Sequence, residues 1–61
     1  MKIGDTVCDY RRNPGHYTYG LVTGRSYGDR VMVLWPGGLE EDEDPYYLVV
    51  VASAANNNNP V

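Results

Sequence analysis

The chain has 61 residues, 43% of them hydrophobic, and a formal net charge of −3. This length supports one domain with a small core, and the negative charge argues against general nucleic-acid binding. The single cysteine excludes an internal disulfide, and one histidine beside it is too few for a metal cage. Association with another protein is therefore the stabilising device that remains for so short a chain.

Turn residues divide the first half of the chain into three predicted strands. The first covers about residues 6–10, and the second covers about residues 17–23, which are rich in β-branched and aromatic residues. An Asn-Pro-Gly sequence at 13–15 indicates a turn between them. Glycines and an aspartate within 24–29 indicate a hairpin loop before the third strand, 31–35, which is apolar throughout and ends in Pro-Gly-Gly.

The second half of the chain predicts two further strands and a tail. A short fourth strand begins at about Leu39 and frays into the acidic run that follows. The sequence Asp-Pro-Tyr-Tyr at 44–47 favours a single 3₁₀ turn, because proline is accepted at the start of a helical turn. The fifth strand, 48–51, is apolar on both faces, which suits a strand that is covered on both sides. Five short strands without an amphipathic helix indicate an all-β protein, a small closed or nearly closed barrel.

The domain is predicted to cover residues 1–52, and the asparagine-rich, low-complexity remainder, 53–61, is predicted to form an extended tail. Such a segment buries little apolar surface and orders itself only against a partner. We expect the tail, including Asn57 and Asn58, to lie across a boundary between subunits of a larger assembly.

The third strand has two apolar faces, although a domain of this size has one core. If Thr23 pairs with Arg30, one face of the hairpin is predicted to point inward: Gly20, Val22, Val31, Val33 and Trp35. The other face would form an outward apolar stripe: Tyr19, Leu21, Met32 and Leu34. Apolar stripes of this kind usually mark contacts with partners. The alternative is that the acidic segment or the tail folds across the stripe, and a slip of one residue in register would exchange the two faces.

Five consecutive residues carry negative charge: Glu40, Glu41, Asp42, Glu43 and Asp44. One interpretation is that they steer the protein onto a basic surface of a partner or of another copy. The other is a solvated loop that maintains solubility and guards a sheet edge. The run lacks the alternating carboxylates and central glycine of a calcium loop.

No residue pattern indicates an enzyme or a cofactor. Cys8 lies within a predicted strand and His16 in a predicted loop tip, and nothing marks the third group or oxyanion site that a nucleophile pair would need. No signal peptide or membrane-spanning run is predicted, and a small basic and aromatic patch near Arg11 is opposed by the acidic half of the chain. Protein is the partner that the composition favours; nucleic acid and membrane are not expected.

The chain resembles the SH3-like and Tudor-like small barrels over residues 3 to 52. The resemblance is carried by four short motifs: Gly4-Asp5-x-Val7, Tyr19-Gly20-x-Val22, Val31-x-Val33-x-Trp35-x-x-Gly38 and Leu48-x-Val50. It implies a five-stranded SH3-like barrel, a fold that serves many unrelated functions. The Trp-x-x-Gly sequence that turns into an acidic strand also resembles short proteins of tailed phages, notably those of marine cyanobacteria. That second resemblance implies a capsid cement or decoration protein.

We therefore expect a non-enzymatic structural protein of the virion that binds and stabilises a shell of capsid subunits, with other copies of itself as further partners. The alternative is a cytoplasmic adaptor that docks a peptide of a host protein in an aromatic groove: Tyr10, Trp35, Tyr46 and Tyr47. Trp35, Tyr46 and Tyr47 could also form a Tudor-like cage for a methylated cation. The spacing from Trp35 to Pro45 is shorter than in peptide-binding SH3 domains, which weakens the groove interpretation.

Overall fold

The structure is a computed structural model that describes residues 1–11 and 18–54. Five strands form one antiparallel sheet: β1 Thr6–Asp9, β2 Tyr19–Arg25, β3 Val31–Trp35, β4 Leu39–Glu43 and β5 Leu48–Ala52. Their order across the sheet is β4-β3-β2-β1-β5. The described residues contain no α-helix, and hence no helix with the length and hydrophobicity to cross a membrane. The all-β prediction is confirmed.

The sheet is not closed into a barrel. β4 and β5 are its two edges, and in the described part of the chain they do not pair with each other. The predicted barrel is therefore not confirmed, although β-bulges in the β2–β3 pair and in the β1–β5 pair provide the local bending that curls a small sheet.

The 3₁₀ turn lies where the sequence predicts it, at Pro45–Tyr47. Asp44 caps it, because its carboxylate accepts the backbone N–H of Tyr46 at 2.9 Å. Pro45 occupies the first position of the turn, where a missing N–H leaves no hydrogen bond unmade. The turn takes the chain from one edge of the sheet to the other.

The prediction that the fourth strand frays into the acidic run is wrong, and residues 40–43 of that run form a strand rather than a loop. β4 pairs with β3 along its whole length, from Leu39 opposite Trp35 to Glu43 opposite Val31. Pairing with an apolar central strand outweighs the low strand propensity of aspartate and glutamate, because half of their side chains can still point to solvent.

The core consists of six buried side chains on one face of the sheet: Val7, Val22, Val31, Val33, Trp35 and Leu48. Gly20 pairs with Val7 in the centre of this face. A Cβ atom at Gly20 would lie 2.8 and 2.9 Å from Cε3 and Cζ3 of Trp35, and closer still to Val33 Cγ1. The indole ring therefore packs directly on the glycine backbone, which explains the absence of a side chain there.

The register between β2 and β3 differs from the predicted one, but the faces do not. Leu21 lies opposite Leu34 rather than Met32, and a bulge follows Val22. Up to Val22 the observed register differs from the predicted one by two residues, an even number, so these side chains keep their predicted faces of the sheet. Val22 and Val33 are buried as predicted, while Leu21 and Leu34 are exposed.

β5 is not covered on both sides, contrary to the prediction. Leu48 is buried, whereas Val49, Val50 and Val51 are 48%, 38% and 48% exposed. The reason is topological: β5 is an edge strand that pairs with β1 alone within the described ranges.

The two ends of the described chain are held together by Asp5, which is buried. Its carboxylate accepts the backbone N–H of Lys2 at 2.8 Å and that of Ala54 at 2.6 Å. The hydrogen bond from Ala54 is the main cause that lowers the pKa of Asp5 below its usual value. Residue 54 is thus fixed beside β1, at the point where the predicted tail begins.

Candidate functional site: the outer face and its acidic edge

A row of apolar side chains crosses the sheet on the face opposite the core. Cross-strand partners share a face, and the register places Cys8 between Tyr19 and Val49. Leu21 lies beside Tyr19 along β2 and pairs with Leu34. We call the exposed members of this row the outer face: Tyr19, Leu21, Leu34 and Val49. Cys8 belongs to the same row and is buried.

Three of the four residues predicted for the outward stripe belong to the outer face. Tyr19, Leu21 and Leu34 are 51%, 43% and 38% exposed. Met32 is half-buried and pairs with Gly24 beyond the bulge, so it forms the margin of the face rather than its centre. Val49 also belongs to the outer face, although it was not predicted for the stripe. The signal for it was present, since the fifth strand is apolar at every position.

The acidic strand borders the outer face on one side. Glu40 pairs with Leu34, and Asp42 pairs with Met32, so both carboxylates lie on the outer side of the sheet. The Thr23 hydroxyl donates to Glu40 Oε2 at 2.6 Å. Arg30 Nε donates to Asp42 Oδ1 at 2.7 Å, and both side chains of this ion pair are about half exposed to solvent. These contacts hold the carboxylates in place, and exposed pairs of this kind contribute about 0–1 kcal/mol.

The other members of the acidic run have different surroundings. Glu43 is buried, and its Oε2 accepts the Trp35 Nε1–H at 3.1 Å. Asp44 caps the 3₁₀ turn, and Glu41 is half-buried on the side of the sheet opposite Glu40. The five residues were predicted to act together in partner binding, but the structure divides them. Glu40 and Asp42 are the two that are exposed beside the outer face.

The residues predicted for an aromatic groove differ in their exposure to solvent. Trp35 is buried in the core, whereas Tyr10 and Tyr46 are exposed. The rings of Tyr46 and Tyr47 meet edge to face, with centroids 5.0 Å apart. Trp35, which both the groove and the cage require, is buried and packs on Gly20.

The face of Tyr47 is already occupied by a cation from the same chain. The Arg11 guanidinium carbon lies 3.5 Å from the ring centroid. Arg11 Nη2 also forms an ion pair with the buried Asp9 carboxylate at 3.1 Å, and this hydrogen bond is the main cause that raises the pKa of Arg11. A ligand cation would have to displace an arginine that is held on both sides.

Other kinds of site have little support in the described residues. Residues 1–11 and 18–54 contain no group of three or more potential metal ligands, and no pocket is found among them. The predicted contacts of Asn57 and Asn58, and the predicted loop position of His16, lie outside the described residues. The outer face with its acidic edge is thus the surface that most resembles a binding site. No protein-family model, curated protein or solved structure matches the chain.

Proposed function

We propose that this chain is a non-enzymatic structural protein that attaches to a larger protein assembly through its outer face. The observation that carries the proposal is the side-by-side exposure of Tyr19, Leu21 and Leu34 in the middle of the sheet. Large apolar side chains exposed in one contiguous row are typical of contact surfaces, whereas single exposed ones need no explanation.

The position of these residues suits a docking surface. They lie on β2 and β3, which pair with each other and supply four of the six core side chains, so the face is presented by a rigid support. Burial of apolar area on such a face contributes about 25 cal/mol per Å². Because side chains on a paired strand are already restrained, little conformational entropy is lost on binding.

The acidic edge supports a partner of complementary charge. Glu40 and Asp42 lie beside the apolar row, on the same side of the sheet. A partner with apolar side chains flanked by lysine or arginine would match both features, and its association would be faster at low salt.

We propose further that the assembly is a phage capsid, that the chain is a cement or decoration protein of the virion, and that its sheet is an open form of the SH3-like barrel. The resemblance to short tailed-phage proteins supports the role, and the bulged five-stranded sheet supports the fold. In a capsid, many copies of a weak contact repeated across a lattice hold firmly, so a small outer face suffices.

The experiment is co-sedimentation of the purified protein with intact tailed-phage virions on a density gradient. The proposal predicts that the protein travels with the particles at a high and fixed number of copies. A protein that stays at the top of the gradient contradicts the capsid role. Binding of a peptide in solution, lost on Tyr46→Ala, would support the adaptor alternative instead, because Tyr46 is the most exposed aromatic residue of the predicted groove.

A further inference from the structure

The free edge of β5 has the features of a strand-pairing surface. β5 ends the sheet and pairs with β1 on one side, so the backbone N–H and C=O groups on its other side are open to another strand in the described structure. Side chains along the edge are apolar and exposed: Val49, Val50 and Val51. An exposed apolar edge of this kind is a template for the addition of a strand.

The two edges of the sheet differ strongly in charge. β4 carries four carboxylates in five residues, which is a common protection against edge-to-edge association. Residues 48–54 carry no charge. If two β4 edges met, like charges would face each other across the junction, whereas two β5 edges meet without repulsion.

We propose that the β5 edge pairs antiparallel with the β5 edge of a second copy of this chain, which gives a two-fold dimer with one continuous ten-stranded sheet. Positions 49, 50 and 51 are all valine, so valine meets valine at the centre of the junction in any of the neighbouring registers. An uncharged edge made of one β-branched residue is self-complementary, as a two-fold interface requires. A domain of this size without a disulfide also gains a needed stabiliser.

The bulge in β5 limits the strength of the junction. The register of the β1–β5 pair shifts between Thr6 and Val7, so the regular part of the strand is short. A bulge increases the local twist and shortens the run of backbone hydrogen bonds that a second strand can make. Pairing is therefore expected to be reversible and to depend on protein concentration.

The dimer would also double the surface that binds the larger assembly. This consequence rests on the proposed function of the outer face. A two-fold axis perpendicular to the sheet relates two antiparallel edge strands, so both outer faces lie on the same side of the joined sheet. Two outer faces on one side can bind a repeating surface together, which raises avidity without any new contact.

The test is the mass of the full chain in solution, measured by sedimentation equilibrium over about a hundredfold range of concentration. We expect a monomer of 6.8 kDa at the low end and a dimer at the high end. Val51→Lys places a charge on the β5 edge and should abolish the dimer. Val51→Thr keeps the β-branched shape without a charge and should retain it.

Two results would overturn the inference. One is a monomer at every concentration. The other is a dimer that survives Val51→Lys but is lost on Leu34→Lys, because this would place the junction on the outer face instead of the β5 edge. Loss of virion binding with an intact dimer would count against the proposed function alone, so the two failures are distinguishable.

Discussion

The packing of Trp35 on Gly20 can be tested by adding one methyl group. In Gly20→Ala the new Cβ would lie 2.8 and 2.9 Å from two ring atoms of Trp35 and closer to Val33 Cγ1. Val33 is fully buried, and the indole ring is held by the hydrogen bond from its Nε1–H to Glu43, so neither neighbour can yield cheaply. Overpacking of this kind costs about 1–3 kcal/mol, which in a domain of this size lowers Tm by about 4–8 °C per kcal/mol.

The free energy of unfolding would be measured by urea denaturation followed by circular dichroism. Gly24→Ala is the matched control, because Gly24 lies on the same strand and a Cβ there meets nothing within 4 Å. We expect it to be neutral or to stabilise the fold by a few tenths of a kcal/mol. Equal stability of Gly20→Ala and Gly24→Ala would refute the packing of the indole ring on β2, and with it the assignment of the two faces of the sheet.

Three further predictions concern the polar contacts. Trp35→Phe removes the N–H that the buried Glu43 carboxylate accepts, so we expect a loss of about 1–3 kcal/mol in the free energy of unfolding, measured by circular dichroism; an unchanged midpoint would show that the bond contributes nothing. Folding lowers the pKa of Asp5, so the ionised carboxylate stabilises the folded protein. This stabilisation is fully present above the pKa of the unfolded chain, near 3.8, and is lost as the pH falls through the lower pKa of the folded state. Asp5→Asn should therefore be less stable than the wild type at neutral pH. The difference in Tm between the two proteins should shrink as the pH falls below about 3.8. A difference in Tm that stays constant over this range would contradict the linkage. Replacing Glu40 and Asp42 together with glutamine should lessen the salt dependence of virion binding, and the same dependence in the variant would leave the two carboxylates a role in solubility alone.

The apolar pattern was enough to predict four of the five strands, all but the acidic β4, and the orientation of the faces in the hairpin of β2 and β3. The run from Val31 to Trp35 identified the central strand, and the assignment of Val22, Val31 and Val33 to the core is confirmed. The Asp-Pro pair at 44–45 located the 3₁₀ turn, because both residues act locally. These features are determined by residues that are close together in sequence, so they could be predicted from the sequence alone.

The features that were missed depend on partners distant in sequence. The run Glu40–Asp44 resembles a solvated loop, and only pairing with β3 makes its first four residues part of a strand. The bulge after Val22 shifts the register by one residue and carries no marker in the sequence. Trp35 was assigned both to the core and to an alternative groove, and the space above Gly20 decides for the core.

The most direct test of the outer face is the amount of Leu34→Lys that binds to intact virions, compared with the wild type. Leu34 lies opposite Glu40, so lysine there forms a favourable cross-strand pair and the variant should keep its Tm while losing apolar contact area. Tyr27→Lys is the control, since Tyr27 is 87% exposed in the turn between β2 and β3, away from the outer face. We expect Tyr27→Lys to bind like the wild type and Leu34→Lys to stay largely unbound. Equal binding of all three proteins, with equal Tm, would contradict this expectation.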